Sequence, residues 1–325
     1  MRAISLEEHF VTQSVLDAVG GLPPGLERVK EQLLEVGEGR IASMDEGGVD
    51  VQVLSLMANG FDRLNAETQS VLARQVNDEI AEAAQKHPDR FAAFATLGVK
   101  KPDEAANELK RCVTKLGFVG AFLDGTAEGS FLDQHKFRPI FEAAQELDVP
   151  VYIHPAVPPA AVRQAYFSGL PGDTGFLLSI AGWGWHAEVG LHVLRLIVSG
   201  LFDELPNLKV IIGHMGEGLP YALVRSSKVL EPAMSNYSGT VAEVFKNNFY
   251  VTTSGYFTVP PLRCAVDVLG ADRLMYSIDY PFSPATAGKQ YLAEIEKSGV
   301  FQNGQMEAFT HGTAESLLKL KQPVG

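Results

Sequence analysis

The stretch LKVIIGHMGEGLP, residues 208–220, decides how the chain is read. Val210, Ile211 and Ile212 make a continuous apolar run that stops at Gly213, and His214 and Glu217 follow in a glycine-punctuated turn. A short β-branched run bounded by glycine reads as a strand buried on both faces, here one that delivers a polar side chain at its C-terminal end. Three other apolar runs end the same way. Arg2–Leu6 closes in Glu7-Glu8-His9-Phe10, Val149–Ile153 ends at His154-Pro155, and Leu274–Ile278 ends at Asp279.

Outward from these four, the remaining β-rich runs are Val49–Met57, Arg90–Thr96, Phe118–Leu123 and Asn248–Thr253. Helical patterns lie between them, among them Ala66–Lys86, Pro102–Leu116, His135–Leu147, Trp185–Ser199, Pro261–Leu269 and Ala285–Lys297. Eight strands alternating with helices predict an α/β protein of the (β/α)8 TIM-barrel type, in which chemistry gathers at the C-terminal ends of the strands. An open doubly wound sheet is the competing topology. It would carry a glycine-rich phosphate loop after an early strand, and the sequence has neither G-x-G-x-x-G nor a P-loop. The pattern lapses at about residues 156–182, an insertion expected to serve as a lid or pocket wall. No repeat or linker marks a second domain, so residues 1–325 are expected to form one.

The bulk properties narrow the classes. A hydrophobic fraction of 46% and a charged fraction of 20% belong to a globular protein with material for a large core. The net charge of −12 argues against a nucleic-acid surface. Cys112 and Cys264 are far apart in sequence and read as reduced thiols. The chain opens directly into a strand, and no apolar run reaches the ~20 residues that span a bilayer. A cytoplasmic location is the expectation.

Glu7 and His9 are two apart on a strand, so their side chains share a face. If that face is the barrel interior, they converge with His154, His214 and Asp279. Nitrogen and carboxylate donors in this mixture suit Zn2+, Mn2+ or Fe2+ better than Ca2+. Singly, a strand-end histidine is an ordinary hydrogen-bonded packing residue, and Asp279 before Tyr280-Pro281 is turn chemistry. Four such ends out of eight point to a catalytic metal site. Phe10, Trp183, Trp185, Tyr256 and Phe282 are candidates to sandwich a planar ligand, each set against plain core packing. His87, His135, His186 and His192 are assigned structural roles.

The sequence also resembles the amidohydrolase superfamily, and within it the metal-dependent hydroxybenzoate decarboxylases. The motifs that carry the resemblance are Leu6-Glu7-Glu8-His9-Phe10, VPVYIHP (149–155), the run 194–221, NNFYVTTSG (247–255) and RLMYSIDYPF (273–282). The GHMGEGLPY segment is similar to that of the γ-resorcylate and 2,3-dihydroxybenzoate decarboxylases. The resemblance implies that Glu7, His9, His154 and Asp279 hold one divalent metal ion, Zn2+ or Mn2+ with Mg2+ possible. It also implies that His214, supported by Glu217, handles substrate protons, and that Arg225 lies near that pair. No position suggests the bridging carbamylated lysine of two-metal branches. The chain departs from the pattern in the segment after His154, at Tyr280 where tryptophan is common, and at Thr313.

The activity so implied is non-oxidative decarboxylation of an ortho-hydroxylated aromatic acid. The metal would bind carboxylate and hydroxyl, and Asp279 would protonate the ring carbon. Catalytic Asp279, His214 and Glu217, with Arg225, Phe282 and Phe10 on the substrate, are the expected site. Hydrolysis of a lactone, ester or amide by the same ligands stays open, as does an inactive barrel that only binds. A dimer or tetramer is expected, with Val189–Leu201 as a contact set against burial on the barrel wall.

Overall fold

A computed structural model describes residues 1–23, 25–57, 60–127 and 129–320, so residues 321–325 of the expected domain lie outside the described residues. The strands run parallel in chain order: β1 (Ile4–Phe10), β2 (Val51–Leu56), β3 in two pieces (Phe91–Ala93 and Ala95–Thr96), β4 (Ala121–Asp124), β5 (Val151–His154), β6 (Val210–Ile212), β7 (Phe249–Thr252) and β8 (Leu274–Met275). Helices follow most strands, giving the expected (β/α)8 barrel.

Two apolar layers hold it together. Ile4, Leu6, Val51, Val53, Phe94, Phe122, Tyr152, Ile211 and Met275 fill the barrel interior, joined by Ala314, Leu317 and Leu318 of the helix Thr313–Leu318. A larger cluster packs the outer strand faces against the helices. The helix Ala66–Lys86 illustrates the second layer. Asn65 caps it by accepting from Thr68 N–H at 2.9 Å, and Leu72, Ala73, Val76 and Ile80 form a buried stripe at three- and four-residue spacing. It ends at His87-Pro88, where the proline disfavours a further helical turn.

The sheet is interrupted twice. At Phe94, the first half of β3 pairs with β2 and the second half with β4, the step bridged by Phe94 N–H to Leu54 O at 3.0 Å and Ala95 N–H to Gly120 O at 2.8 Å. Between β8 and β1 the contacts are made mainly by side chains. Glu7 N–H donates to Ser277 Oγ at 2.9 Å, and Ile278 N–H donates to Ser5 Oγ and Glu8 Oε1, both at 3.0 Å. His9 N–H to Tyr280 O at 2.7 Å adds a backbone bond beyond them. Fully buried Glu8 therefore does the work of a ladder, accepting also from Tyr280 N–H at 3.3 Å.

The insertion contains two short helices, Ala160–Phe167 and Thr174–Ser179, before the helix Gly184–Val198. The first buries none of its residues, which explains why no core-facing period was legible there. The helix Gly184–Val198 turns Val189, Val193, Leu196 and Ile197 inward, so this apolar run packs the barrel wall.

Candidate active site

The site begins with an irregularity in β1. Ser5 is in register with Gln52, yet Glu8 is in register with Leu54, so β1 carries one extra residue, a β-bulge. Ile4 and Leu6 line the barrel interior, and strict alternation would then turn Glu7 and His9 outward. The bulge reverses the parity. Both side chains are fully buried in the barrel mouth, as the spacing rule required of each other but not of Leu6.

Glu7 is held by one oxygen and offers the other. Its Oε2 accepts from Tyr152 Oη and, at 2.5 Å, from Ser254 Oγ. Thr252 Oγ1 lies 2.7 Å from both of those hydroxyls. Burial and the charge of Glu7 keep Tyr152 protonated, so it serves as a donor. The other oxygen, Oε1, lies 3.3 Å from His154 Nε2, 3.7 Å from His214 Nε2 and 3.8 Å from His9 Nε2.

Each histidine is fixed from behind. His154 Nδ1 is 3.0 Å from Asp124 Oδ1, and His9 Nδ1 is 3.3 Å from Ser55 Oγ. Arg40, fully buried, donates to His9 O at 2.6 Å. Asp279 adopts φ +68° just beyond β8 and brings Oδ1 to 3.3 Å from His9 Nε2.

These donors fit one divalent cation. Glu7 Oε1 and His9 Nε2 are buried with no hydrogen-bond partner among the described residues, which is costly unless another group meets them. Donor atoms of Glu7, His9 and His154 lie within 4.8 Å of one another. Ligands about 2.0–2.2 Å from a tetrahedral ion sit roughly 3.3–3.6 Å apart, close to the separations found here. The electrostatics agree. Burial would raise the Glu7 carboxyl, but His214, His154 and His9 drive it well below its ordinary value. Burial would depress His154, yet Asp124 and Glu7 lift it to about 10. A cation binding here displaces those protons.

The turn after β6 forms the second part of the site. His214, Met215 and Glu217 all have positive φ, at +47°, +57° and +56°. Each such non-glycine residue costs about 1–2 kcal/mol. The turn brings His214 Nδ1 to 2.8 Å from Glu217 Oε1, leaving Nε2 directed at the Glu7 cluster. Burial would depress His214, but Glu217 and Glu7 raise it to about 9. The second Glu217 oxygen meets His186 Nδ1 at 2.5 Å.

The sequence-predicted residues sort cleanly. Glu7, His9, His154, Asp279, His214 and Glu217 come together. Phe282 stands beside them, its ring centroid 5.5 Å from that of His9, and Trp185 is 6.3 Å from His154. Tyr256 is 6.4 Å from His214. Three expectations are corrected. Phe10 follows inward-facing His9 and so points into the outer core, away from any substrate. Arg225 is exposed on the helix Leu219–Leu230, and among the described residues no hydrogen bond or ion pair joins it to Glu217. Trp183 is 60% exposed and faces outward.

Two site residues were missed. Asp124 is itself a strand-end acid, the same signal that singled out Asp279. His186 occupies the first turn of a buried stripe with Val189, Val193 and Leu196–Ile197, and a polar residue in such a stripe is a signal in its own right. His192 on the same helix keeps the structural role assigned to it, accepting from Leu132 N–H at 3.0 Å.

Known proteins match both the sequence and the fold. Over 98% of its length the chain is 38% identical to the decarboxylase OrsB of Emericella nidulans, covering 97% of that protein. It is 35% identical to the γ-resorcylate decarboxylase of a Polaromonas species, over 98% of this chain and 99% of that one. A crystal structure of a dihydroxybenzoic acid decarboxylase from Polaromonas, with bound manganese and the inhibitor 2-nitroresorcinol, superposes with a TM-score of 0.87 at 34% identity, covering 98% of this chain and 97% of that one. The amidohydrolase family model matches residues 21–320. Sequence, barrel and strand-end donors agree, and the chain belongs to the amidohydrolase family.

Proposed function

We propose that this enzyme removes CO2, without oxidation, from an ortho-hydroxylated aromatic acid of the dihydroxybenzoate kind. The observation that carries the reading is the convergence of Glu7 Oε1 and His9 Nε2, without a hydrogen-bond partner among the described residues, on the point that His154 and His214 also face. The relatives named above, decarboxylases that match along nearly the whole chain, support it.

Glu7, His9, His154 and Asp279 would hold one divalent ion, Mn2+ or Zn2+. When bound, that ion supplies a Lewis acid able to hold the substrate carboxylate and its neighbouring hydroxyl together. The remaining work falls to the chain. In the net reaction the C–C electron pair stays on the ring carbon, which gains one proton as CO2 leaves. Asp279, at the rim and 16% exposed, delivers that proton and is reloaded from solvent. His214 donates its Nδ1–H to Glu217 Oε1, which fixes the tautomer and leaves Nε2 to meet the ring hydroxyl. Phe282, Trp185 and Tyr256 flank the ring and keep water from it.

We place this chemistry in a single domain that acts in the cytoplasm, in keeping with two unpaired cysteines. Self-association through the outer face of the helix Leu219–Leu230, where Tyr221, Val224 and Val229 are exposed, fits a dimer or tetramer.

The test is to incubate protein loaded with Mn2+ or Zn2+ with ortho-hydroxylated benzoates, 2,6-dihydroxybenzoate first, and with simple lactones. CO2 release from a benzoate is the expected outcome. A lactone opened with no CO2 from any aromatic acid would assign the site to hydrolysis instead.

A further inference from the structure

We propose that His186 is a positioning residue for this reaction, holding Glu217 so that His214 presents its Nε2 to the substrate. The inference rests on the decarboxylase reading above for its kinetic consequences. The geometry that motivates it does not.

Glu217 is buried and gives one oxygen to each of two imidazoles, at 2.8 Å to His214 Nδ1 and 2.5 Å to His186 Nδ1. A carboxylate bridged in this way has one orientation. Were His186 removed, Oε2 would be a buried charged oxygen with no donor, and the carboxylate would gain by turning away from His214 to find one. The turn that carries Glu217 is costly in backbone energy, its three non-glycine residues His214, Met215 and Glu217 all lying at positive φ, so side-chain hydrogen bonds help to hold it.

His186 is in turn fixed from its far side. Its Nε2 lies 3.1 Å from Tyr256 Oη and 3.2 Å from the carbonyl of Ala181. Ala181 lies near the end of the insertion, and Tyr256 follows β7 beside the pocket. One imidazole therefore links the insertion, the wall after β7 and the His214–Glu217 pair. The end of the insertion is thereby tied to the imidazole that holds Glu217.

The donor atoms of His186, His214 and Glu217 also lie within 4.8 Å of one another, so a second cation is the competing explanation. Each Nδ1 already has a carboxylate oxygen at hydrogen-bond distance, and His186 Nε2 has two partners of its own. The three groups satisfy one another.

Two substitutions in the full-length, Mn2+-loaded protein separate these readings. His186→Asn puts an amide nitrogen where Nδ1 stands and keeps the contact with Glu217. His186→Gln puts the amide near Nε2, meets Ala181 and Tyr256, and leaves Glu217 Oε2 bare. With 2,6-dihydroxybenzoate, H186Q should lose about 10–100-fold in kcat at nearly unchanged KM, while H186N stays within about threefold of wild type. In protein labelled with 15N-histidine and loaded with diamagnetic Zn2+ instead, the exchange-protected Nδ1–H of His214 should persist in H186N and vanish in H186Q. Equal loss in both variants, or loss in neither, overturns the proposal. So does a second equivalent of Mn2+ per chain that H186N fails to bind. A wild-type protein that releases no CO2 from any hydroxybenzoate would refute the decarboxylase reading alone, because the imidazole resonances still decide whether His186 holds His214 through Glu217.

Discussion

Gly213, between β6 and the His214 turn, is the smallest change that should disable the site. Its backbone, at φ −83° and ψ −164°, is open to any L-residue, so alanine adds no backbone strain. The obstacle is space. A Cβ there would stand 2.3 Å from Glu7 Oε2 and 3.1 Å from the Tyr152 hydroxyl. Carbon and oxygen in contact rest about 3.3 Å apart, so Glu7 must retreat by roughly 1 Å. It has little freedom to do so, with Tyr152 and Ser254 holding that same oxygen. Metal sites tolerate about 0.2 Å of error in ligand distance. Loss of a partner that merely orients a ligand costs about 10–100-fold in affinity, and displacing the ligand itself should reach the upper end, roughly 2.7 kcal/mol. Competition for Mn2+ against a chromophoric chelator measures this directly, with a thermal melt to establish that the variant is folded. A folded Gly213→Ala protein that binds Mn2+ as tightly as wild type would refute the assignment of Glu7 as a ligand.

Three further outcomes are expected. Asp279→Asn should retain the ion through Glu7, His9 and His154 while turnover falls about 10²–10⁴-fold, as measured by metal analysis and CO2 release on one sample. His192→Gln should flatten the acid limb of stability. Burial, with Arg195 adding to it, depresses His192 to about 4 despite Asp133, so its neutral form contributes stability above pH ~6.5 that is lost as pH falls toward 4. Wild type should lose up to about 3 kcal/mol more than the variant between those limits in urea titrations, since glutamine can accept the Leu132 N–H without titrating. Phe10→Leu should cost about 1–1.5 kcal/mol in a melt and leave KM unchanged, because Phe10 belongs to the outer core.

Much of the site was legible because barrel chemistry concentrates where strands stop, and Glu7, His9, His154, His214 and Asp279 all stand there. Phe10 was also within reach, since an inward His9 obliges its neighbour to face the helices. What could not be read was the bulge between Ser5 and Glu8. Pattern alone cannot place Leu6 and Glu7 on the same face, because the extra residue is specified by the packing of β1 against β2 and by the hydroxyls of Ser5 and Ser277. His186 was hidden because helical period reports burial and says nothing of what the buried atom touches. Arg225 was misplaced because similarity of motif locates a residue along the chain and not its side chain in space.

The scarcity of ladder bonds between β8 and β1 has a consequence for assembly. Glu7 and His9 belong to the first strand and Asp279 follows the last, so the proposed metal ligands stand on both sides of the junction between β8 and β1. A ribosome releases these halves some 270 residues apart, the Glu7–Ser277 separation. Until the second half emerges, Glu8 has no Ile278 or Tyr280 amide to receive and the first strand has β2 as its one neighbour. With the proposed ligands, a cation would act as a clasp that can close only once both β1 and β8 have been made. Truncated chains should be unable to sequester it, and the intact enzyme should surrender it when this junction opens.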